Sequence, residues 1–322
     1  MSTPSGLLFI TSSYIGDTVL YSGVLAQLIE NYPDDLVTIA TGSAVVTLFS
    51  DLPNLEQIYS LVEHRRIDRW WNLWCKTRSR HWRVVVDLRG SLFSWTLKAE
   101  QRLIFIQSKR RREHIIEELM RRFKLKKIPF PCLWINPVRQ IWTEEYFSDD
   151  LPIIAIGPTA NWRAKQWPTE RFFEVIHKLT EIDRSLLGSR VVVLVAEKER
   201  SMMLSALKTI PIEQHIDCII ISGAHLLDVA AMLRRCVLYI GNDSGLMHLA
   251  AATGIPTLGL FGPSPEWRYH PFGANTAIVR TSESYEDLTN AHNYDYSSQD
   301  SLMNSISVDL VVRAATMLLS KK

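Results

Sequence analysis

The sequence lacks the patterns that mark several classes of protein. Its four cysteines, Cys75, Cys132, Cys218 and Cys236, are widely spaced and form no CxxC pair, which argues against a zinc site or a disulfide framework and predicts reduced thiols in the cytoplasm. No apolar run reaches the ~18 residues of a membrane span, and the N-terminus has no basic segment leading into an apolar one, so no signal peptide is predicted. A GxGxxG fingerprint is also missing, which argues against a nicotinamide dinucleotide.

Short apolar runs alternate with longer segments of helical periodicity along the 322 residues. Most of these runs are continuous rather than alternating, which is typical of parallel strands that are buried on both faces. The pattern predicts an α/β protein of two Rossmann-like, doubly wound parallel-sheet domains that face each other across a cleft. The predicted strands are Leu7–Ser13, Val37–Thr41, Val84–Leu88, Ile153–Gly157, Val191–Ala196, Cys218–Ser222, Val237–Gly241, Thr257–Phe261 and Ala277–Arg280, and the predicted helices are Thr18–Tyr32, Arg112–Arg122, Thr169–Ile182, Leu226–Arg235, Gly245–Ala252 and Asp309–Ser320.

The stretch 136–152 is polar, holds two prolines and has weak periodicity, so we predict the domain boundary there. Residues 1–145 would form the first domain and residues 146–322 the second. Packing of the last helix against the first domain is an alternative.

Positive charge is concentrated in one part of the chain. Between His64 and Lys127 there are 19 lysines and arginines against 6 aspartates and glutamates, although the whole chain has a net charge of only +2. Tryptophans are mixed with this charge in 65–83, a combination that suits an anionic membrane or glycolipid, nucleic acid, or a solvated basic helix face over aromatic packing. The last alternative is strongest for 112–122, where apolar residues recur at helical spacing.

The most informative stretch is residues 239–262, which read YIGNDSGLMHLAAATGIPTLGLFG. An apolar strand is followed by small polar residues, and a helix is predicted to start near Ser244. The free N–H groups of a helix start favour an anion such as phosphate, and Gly245 allows close approach. Asp243 would repel phosphate but can bind sugar hydroxyls, and His248 lies within two turns. A plain helix cap uses the same residue types and is the alternative.

Two further strand ends carry polar residues. After the strand at 153–157, Thr159 offers a hydroxyl and Lys165 a mobile positive charge for phosphate. After the first strand come Ser12 and Ser13, and Asp17 follows at the start of the first helix. Asp17 is equally compatible with a general base and with a helix cap.

Taken together, five segments resemble glycosyltransferase family 9, the heptosyltransferases of lipopolysaccharide core assembly. They cover nearly the whole chain and read SSYIGDTVLYSGVLAQLIENYP, VVVDLRGSLFS, NWRAKQWPTERF, IGNDSGLMHLAAATGIPTLGLFGPSPE and MNSISVDLVVRAA. The segment LVAEKERS lacks the family's usual glycines, and the Trp-rich segment at 69–82 is unusual.

The resemblance implies a GT-B fold and metal-independent, inverting transfer of a heptose from an ADP-sugar to a hydroxyl of a lipopolysaccharide core acceptor. No cofactor, metal or nucleic acid is expected, and the anionic glycolipid acceptor would bring the enzyme to the inner face of the cytoplasmic membrane.

Site residues follow from the resemblance by position in this sequence. Asp17 matches the proposed general base, and Asp243 the carboxylate that binds the donor sugar. Glu199 matches a glutamate near the ribose, with Glu197 as the alternative. The remaining expected donor-site residues are Thr159, Lys165, Ser244, Gly245 and His248, and the acceptor-site candidates are Ser12, Ser13 and Arg89.

Two rival functions stay open at this point. An epimerase-like enzyme of the same fold would consume a nucleotide-sugar without an acceptor. A non-catalytic nucleic-acid binder would use the basic window 64–127 and would bind with strong salt dependence.

Overall fold

The structure is a computed structural model that describes residues 6–61, 66–107, 111–147, 151–208, 218–290 and 300–321. The chain divides between Asn136 and Pro137 into two units, unit 1 and unit 2. Each unit is built on its own parallel sheet, which confirms the predicted α/β class with two doubly wound domains.

Unit 1 contains a five-stranded sheet of order β3-β2-β1-β4-β5, in which all neighbours are parallel. The strands with continuous apolar sequence lie at the centre, because only there are both faces covered. Its elements are β1 (Leu7–Ile10), α1 (Ile15–Asn31), β2 (Val37–Thr41), a 3₁₀ helix (Ser43–Phe49), β3 (Leu55–Ser60), α2 (Arg66–Thr77), β4 (His81–Asp87), a 3₁₀ helix (Leu92–Thr96), β5 (Lys98–Ile104) and α3 (Ile115–Phe123).

Unit 2 contains a six-stranded sheet of order β11-β10-β9-β6-β7-β8, again with parallel neighbours. Its helices are α4 (Pro137–Tyr146), α5 (Thr169–Ile182), α6 (Arg200–Leu207), α7 (Leu226–Leu233), α8 (Gly245–Thr253), α9 (Glu266–Tyr269), α10 (Tyr285–Thr289) and α11 (Val308–Leu319), with 3₁₀ turns at Arg163–Lys165, Arg184–Leu186 and Glu197–Glu199. Its strands are β6 (Ile153–Gly157), β7 (Arg190–Val195), β8 (Cys218–Ser222), β9 (Cys236–Asn242), β10 (Thr257–Phe261) and β11 (Thr276–Arg280).

The last helix packs within unit 2. Val311, Val312, Ala315 and Leu318 of α11 belong to the same buried cluster as the aliphatic residues of β6, β7, β9 and β10. These positions recur at three- and four-residue spacing, so one apolar face of α11 covers the sheet. The helix starts where Ser307 accepts a hydrogen bond from the Leu310 N–H.

Several sequence expectations need correction. Strands β3 and β5 were not predicted, because as edge strands they are half-exposed and their sequences are polar. The stretch predicted as a polar connection contains helix α4, whose Arg139 pairs with Asp228 at the start of α7. The helix expected from Arg112 begins only at Ile115, because His114 and Glu117 form a capping box there.

The apolar residues in 112–122 pack into the core, as expected from the alternative of a basic helix face over apolar packing. Ile115, Ile116, Leu119 and Phe123 of α3 are all buried. Parts of the basic window lie outside the described residues. These are 64–65, 108–110 and the side chains of 66–69. Among the described helices, none combines the length and apolar character that a membrane crossing requires.

Candidate functional site

Two neighbouring strands of unit 2 have a glycine at or next to their last residue, and a tyrosine explains why. Gly157 of β6 pairs with Gly241 of β9, and a β-carbon at either position would overlap the hydroxyl of Tyr239. The Tyr239 side chain is completely buried. The ring occupies the space that side chains would take. The backbone at these two strand ends therefore carries no side chain beside the loops that follow.

Asn242 connects the end of β9 to the loop after β6. Its side-chain amide donates to the Pro158 carbonyl at 2.7 Å, and its side-chain oxygen accepts from the Trp167 N–H at 3.1 Å. The side chain is fully buried, so both bonds are made away from water and are costly to lose. They hold the segment that contains Thr159, which is buried, and Lys165.

Lys165 and Asp243 form an ion pair at this edge of the sheet. The Lys165 Nζ donates to Asp243 Oδ2 at 2.6 Å, and the two side chains are only 12% and 8% exposed. The same ammonium lies over the Trp162 ring, 4.5 Å from its centroid. Asp243 therefore compensates the positive charge of Lys165, and the Trp162 ring contacts the same cation.

Ser244 occupies the N-cap position of α8 but does not cap it. Its side chain makes no hydrogen bond to the helix, and its Oγ is buried without a hydrogen-bond partner in the described part of the chain. The alternative that this segment is only a capping motif therefore does not account for Ser244. The first N–H groups of α8, starting at Gly245, face the same edge and favour an anion there.

His248 lies in the first turns of α8 and is buried, with its Nδ1 unpaired among the described residues. Burial lowers the pKa of His248 to about 4; the charges of Lys165 and His270 act in the same direction, and Asp243 opposes them. The imidazole is consequently neutral at pH 7 and offers a hydrogen bond rather than a charge.

The two candidate ribose-binding glutamates follow β7. Glu199 Oε2 accepts from the Ala196 N–H at 3.0 Å and so helps to cap its own turn. Glu197 Oε2 accepts from the Ser222 hydroxyl at 2.6 Å at the end of β8. Both carboxylates lie near the carboxyl edge of the unit 2 sheet, and the role of Glu199 stays a prediction.

Unit 1 brings four predicted residues together at the carboxyl edge of its own sheet. The Ser12 hydroxyl donates to Asp17 Oδ2 at 3.0 Å, and Arg89 donates to the Ser13 hydroxyl at 3.1 Å. We call Ser12, Ser13, Asp17 and Arg89 the unit 1 cluster. Helix α1 starts at Ile15 after the N-cap Tyr14, so Asp17 lies in its first turn, and the interpretation of Asp17 as the cap is wrong.

A buried carboxylate that the sequence analysis did not single out positions Arg89. Asp87, at the end of β4, is fully buried and accepts hydrogen bonds from the backbone N–H groups of Arg89 and Ser91, both at 2.9 Å. It also accepts from the Ser94 hydroxyl. An aspartate directly after the aliphatic run 84–86 is the signal that could have identified it.

Within the described ranges no three His, Cys, Asp or Glu side chains are grouped so that they could hold a metal ion. The four cysteines are free thiols.

Comparison with known proteins identifies the family of the chain. The sequence model of "Glycosyltransferase family 9 (heptosyltransferase)" matches residues 35–295.

The chain belongs to glycosyltransferase family 9.

Relatives and a solved structure agree with this family 9 assignment. Lipopolysaccharide heptosyltransferase 2 of Escherichia coli K12 is 31% identical over 169 residues, which span 50% of this chain and only 47% of that protein. Lipooligosaccharide heptosyltransferase 2 of Haemophilus influenzae is 23% identical over 86% of this chain and 89% of its own. The structure of E. coli ADP-heptose LPS heptosyltransferase II superimposes with a TM-score of 0.76 at 20% identity, covering 98% and 99% of the two chains. That likeness establishes the fold of this family 9 member.

Proposed function

We propose that this family 9 glycosyltransferase moves a heptose from an ADP-heptose donor to a hydroxyl of a lipopolysaccharide core acceptor, with inversion and without a metal ion. The relatives named above are lipopolysaccharide or lipooligosaccharide heptosyltransferases, and the related structure is that of an ADP-heptose LPS heptosyltransferase. The observation that carries the proposal is the Lys165–Asp243 pair beside the start of α8. It offers a positive charge for a diphosphate and a carboxylate for sugar hydroxyls.

Donor binding would rearrange this pair. The diphosphate takes the positions near Lys165 and the N–H groups of Ser244 and Gly245, where charge and the helix dipole favour it. The lysine exchanges one anionic partner for another, while Asp243 turns to the hydroxyls of the sugar. Thr159 and His248 supply uncharged hydrogen bonds beside the phosphates, and Glu199 accepts from the ribose.

The transfer itself is a single displacement. The acceptor oxygen forms a bond to the anomeric carbon as the bond from that carbon to the diphosphate breaks, and the departing ADP keeps the electron pair. Lys165 and the helix amides stabilise the charge that grows on ADP. Asp17 takes the proton of the attacking hydroxyl, and the hydrogen bond from Ser12 fixes the orientation of its carboxylate. Arg89, held by Asp87 and Ser13, gives the unit 1 cluster a cation for the anionic acceptor.

The direct test is a transfer assay read by the mass of the product. ADP-heptose is incubated with the enzyme and several lipid A–core acceptors, with and without a chelator. We expect the acceptor mass to rise by one heptose and the rate to survive chelation. Consumption of donor in the absence of acceptor would favour an epimerase-like reaction instead, and loss of activity on chelation would refute the metal-independent mechanism.

We also propose that unit 1 binds the cytoplasmic face of the inner membrane, where the acceptor lies. Leu92 and Trp95 stand one turn apart in a 3₁₀ helix, which places them on one side, and they are 85% and 62% exposed. On the neighbouring helix α2, Trp71 stacks on Trp74 with centroids 4.9 Å apart, and the Arg78 guanidinium lies 4.6 Å from the Trp74 ring. We call these five residues the aromatic ridge.

Two features of the aromatic ridge suit an anionic bilayer. Exposed Trp and Leu side chains partition into the headgroup region, and the surrounding excess of Lys and Arg attracts acidic lipids. Trp70 and Phe93, with ring centroids 5.6 Å apart, join the two helices beneath the exposed side chains. The ridge is therefore a fixed surface.

Vesicle binding tests this surface. We expect the wild type to bind vesicles that contain phosphatidylglycerol and to release at high salt. The double variant Leu92→Ser/Trp95→Ser should bind at least about tenfold more weakly, since it removes two large apolar side chains. Ile182→Ser/Leu187→Ser, at two exposed apolar residues of unit 2, is the matched control. Equal binding by the double variant and the wild type would contradict the proposal.

A further inference from the structure

Unpaired buried polar atoms are concentrated at one edge of unit 2. Such atoms are rare in folded proteins because each forgoes a hydrogen bond away from water. Among the described residues six side chains carry one, and Thr11 alone of the six lies in unit 1. The other five are Tyr239 Oη, Ser244 Oγ, His248 Nδ1, Ser264 Oγ and Trp267 Nε1.

The first three belong to the site already described. The hydroxyls of Tyr239 and Ser244 lie near each other, but neither has a hydrogen bond of normal geometry within the described chain. Ser264 and Trp267 are different, because neither was assigned a role from the sequence. They require an explanation of their own.

Ser264 and Trp267 lie on the segment that leaves β10. Strand β10 is the neighbour of β9, and the Asp243 N–H donates to the Leu260 carbonyl at 3.0 Å. The segment after β10 therefore emerges beside Asp243. Ser264 is only 2% exposed, so water does not compensate its hydroxyl.

The segment is held in place by its own contacts. Ser264 lies between Pro263 and Pro265, whose fixed backbone angles restrict the turn. Glu266 at the start of α9 pairs with Arg280 at the end of β11. The hydroxyl and the indole N–H are thus carried by a backbone segment that is held in place on both sides, which lowers the conformational cost of binding a ligand there.

Strand order assigns the ligand group. Along the sheet the order is β7, β6, β9, β10. The predicted ribose contact Glu199 follows β7, and the phosphate contacts Lys165 and Ser244 follow β6 and β9. Neighbouring strands are about 4.8 Å apart, so a donor laid along this edge with adenosine at β7 and diphosphate at β6 and β9 brings its sugar beside β10.

We propose that Ser264 Oγ and Trp267 Nε1 hydrogen-bond hydroxyls of the transferred sugar, so that the segment after β10 selects the sugar of the donor. This inference rests on the proposed function, in which the donor is an ADP-sugar. Trp267 Nε1 can only donate, whereas the Ser264 hydroxyl can donate or accept. The pair can therefore bind hydroxyl oxygens of the sugar, the same part of the donor that we propose for Asp243.

The experiment measures the affinities of ADP and ADP-heptose by calorimetry without acceptor, for the wild type, Ser264→Ala and Trp267→Phe. Both substitutions remove one polar group and keep the apolar bulk. We expect ADP affinity to stay within twofold and ADP-heptose affinity to fall about fivefold in each variant, the factor that one net hydrogen bond supplies. Ser320→Ala, at the exposed end of α11, and Trp134→Phe, in unit 1, are the controls.

Each possible result of the calorimetry either supports or overturns the assignment of Ser264 and Trp267. Unchanged ADP-heptose affinity in both variants overturns the assignment, and so does an equal loss for ADP and ADP-heptose, because the groups would then act on the diphosphate or on packing. A wild type that binds ADP but gains nothing from the heptose contradicts the proposed donor itself, and the sugar subsite with it. Thermal unfolding is measured in parallel, and if one variant does not fold the other decides alone.

Discussion

Replacing Lys165 by methionine and Asp243 by asparagine, singly and together, separates the two roles of their ion pair. The pair is 2.6 Å long and its side chains are 12% and 8% exposed. Removing one partner leaves a nearly buried charge without compensation, which costs about 3 kcal/mol, at the low end of the range because both groups keep some contact with solvent. The double variant leaves no charge, so we expect it to cost about 2 kcal/mol less than the sum of the single variants.

Ligand binding should respond with opposite signs. Lys165→Met removes a charge-assisted hydrogen bond to the diphosphate and should weaken ADP binding by about tenfold or more. Asp243→Asn frees the lysine and removes a carboxylate that repels phosphate, so ADP affinity should be retained or rise, while sugar transfer is lost. Urea unfolding gives the stabilities and calorimetry the affinities. Additive stability costs, or equal weakening of ADP binding in both single variants, would refute this reasoning.

Two further predictions concern α8 and the strand that leads into it. The pKa of His248 is about 4 in the folded protein, below its ordinary value of 6.5. Folding therefore disfavours the protonated imidazole, and the protein should lose up to about 3 kcal/mol of stability as the pH falls from 6.5 towards 4. His248→Gln should flatten the curve of stability against pH over this range, whereas an unchanged slope would assign the loss to other groups. Gly241→Ala should destabilise the fold by about 1–3 kcal/mol in urea unfolding, because its β-carbon would overlap the Tyr239 hydroxyl and lie 2.7–2.8 Å from two carbons of the same ring. A loss below about 0.5 kcal/mol would contradict this reasoning, because the ring would then yield almost without cost.

The central strands were predictable because their sequences carry one signal. Ile153–Gly157 and Thr257–Phe261 are continuous apolar runs that are buried along their whole length, and the sequence gives their bounds correctly. Strands Leu55–Ser60 and Lys98–Ile104 lie at sheet edges, where one face contacts water, and their polar composition hides them. Burial on both faces, rather than strand formation itself, is what the sequence reports.

The places of the candidate residues at the strand ends were predictable from the sequence, and their contacts were not. Their position after strands identified Asp17, Lys165 and Ser244 as candidates, because ligands of open α/β sheets bind at the carboxyl ends of the strands. The pairing of Lys165 with Asp243, 78 positions away, depends on which strands are neighbours in the sheet, and a single sequence does not contain that order. Likewise, the bare strand ends depend on where the Tyr239 ring lies.

The measurement that tests the account most directly is the turnover of Asp17→Asn with ADP-heptose and its lipopolysaccharide acceptor, alongside ADP affinity. The account predicts a loss of about 10²–10⁴ in turnover, with ADP affinity unchanged because Asp17 lies in unit 1 and the proposed ADP contacts in unit 2. Turnover near that of the wild type would contradict it.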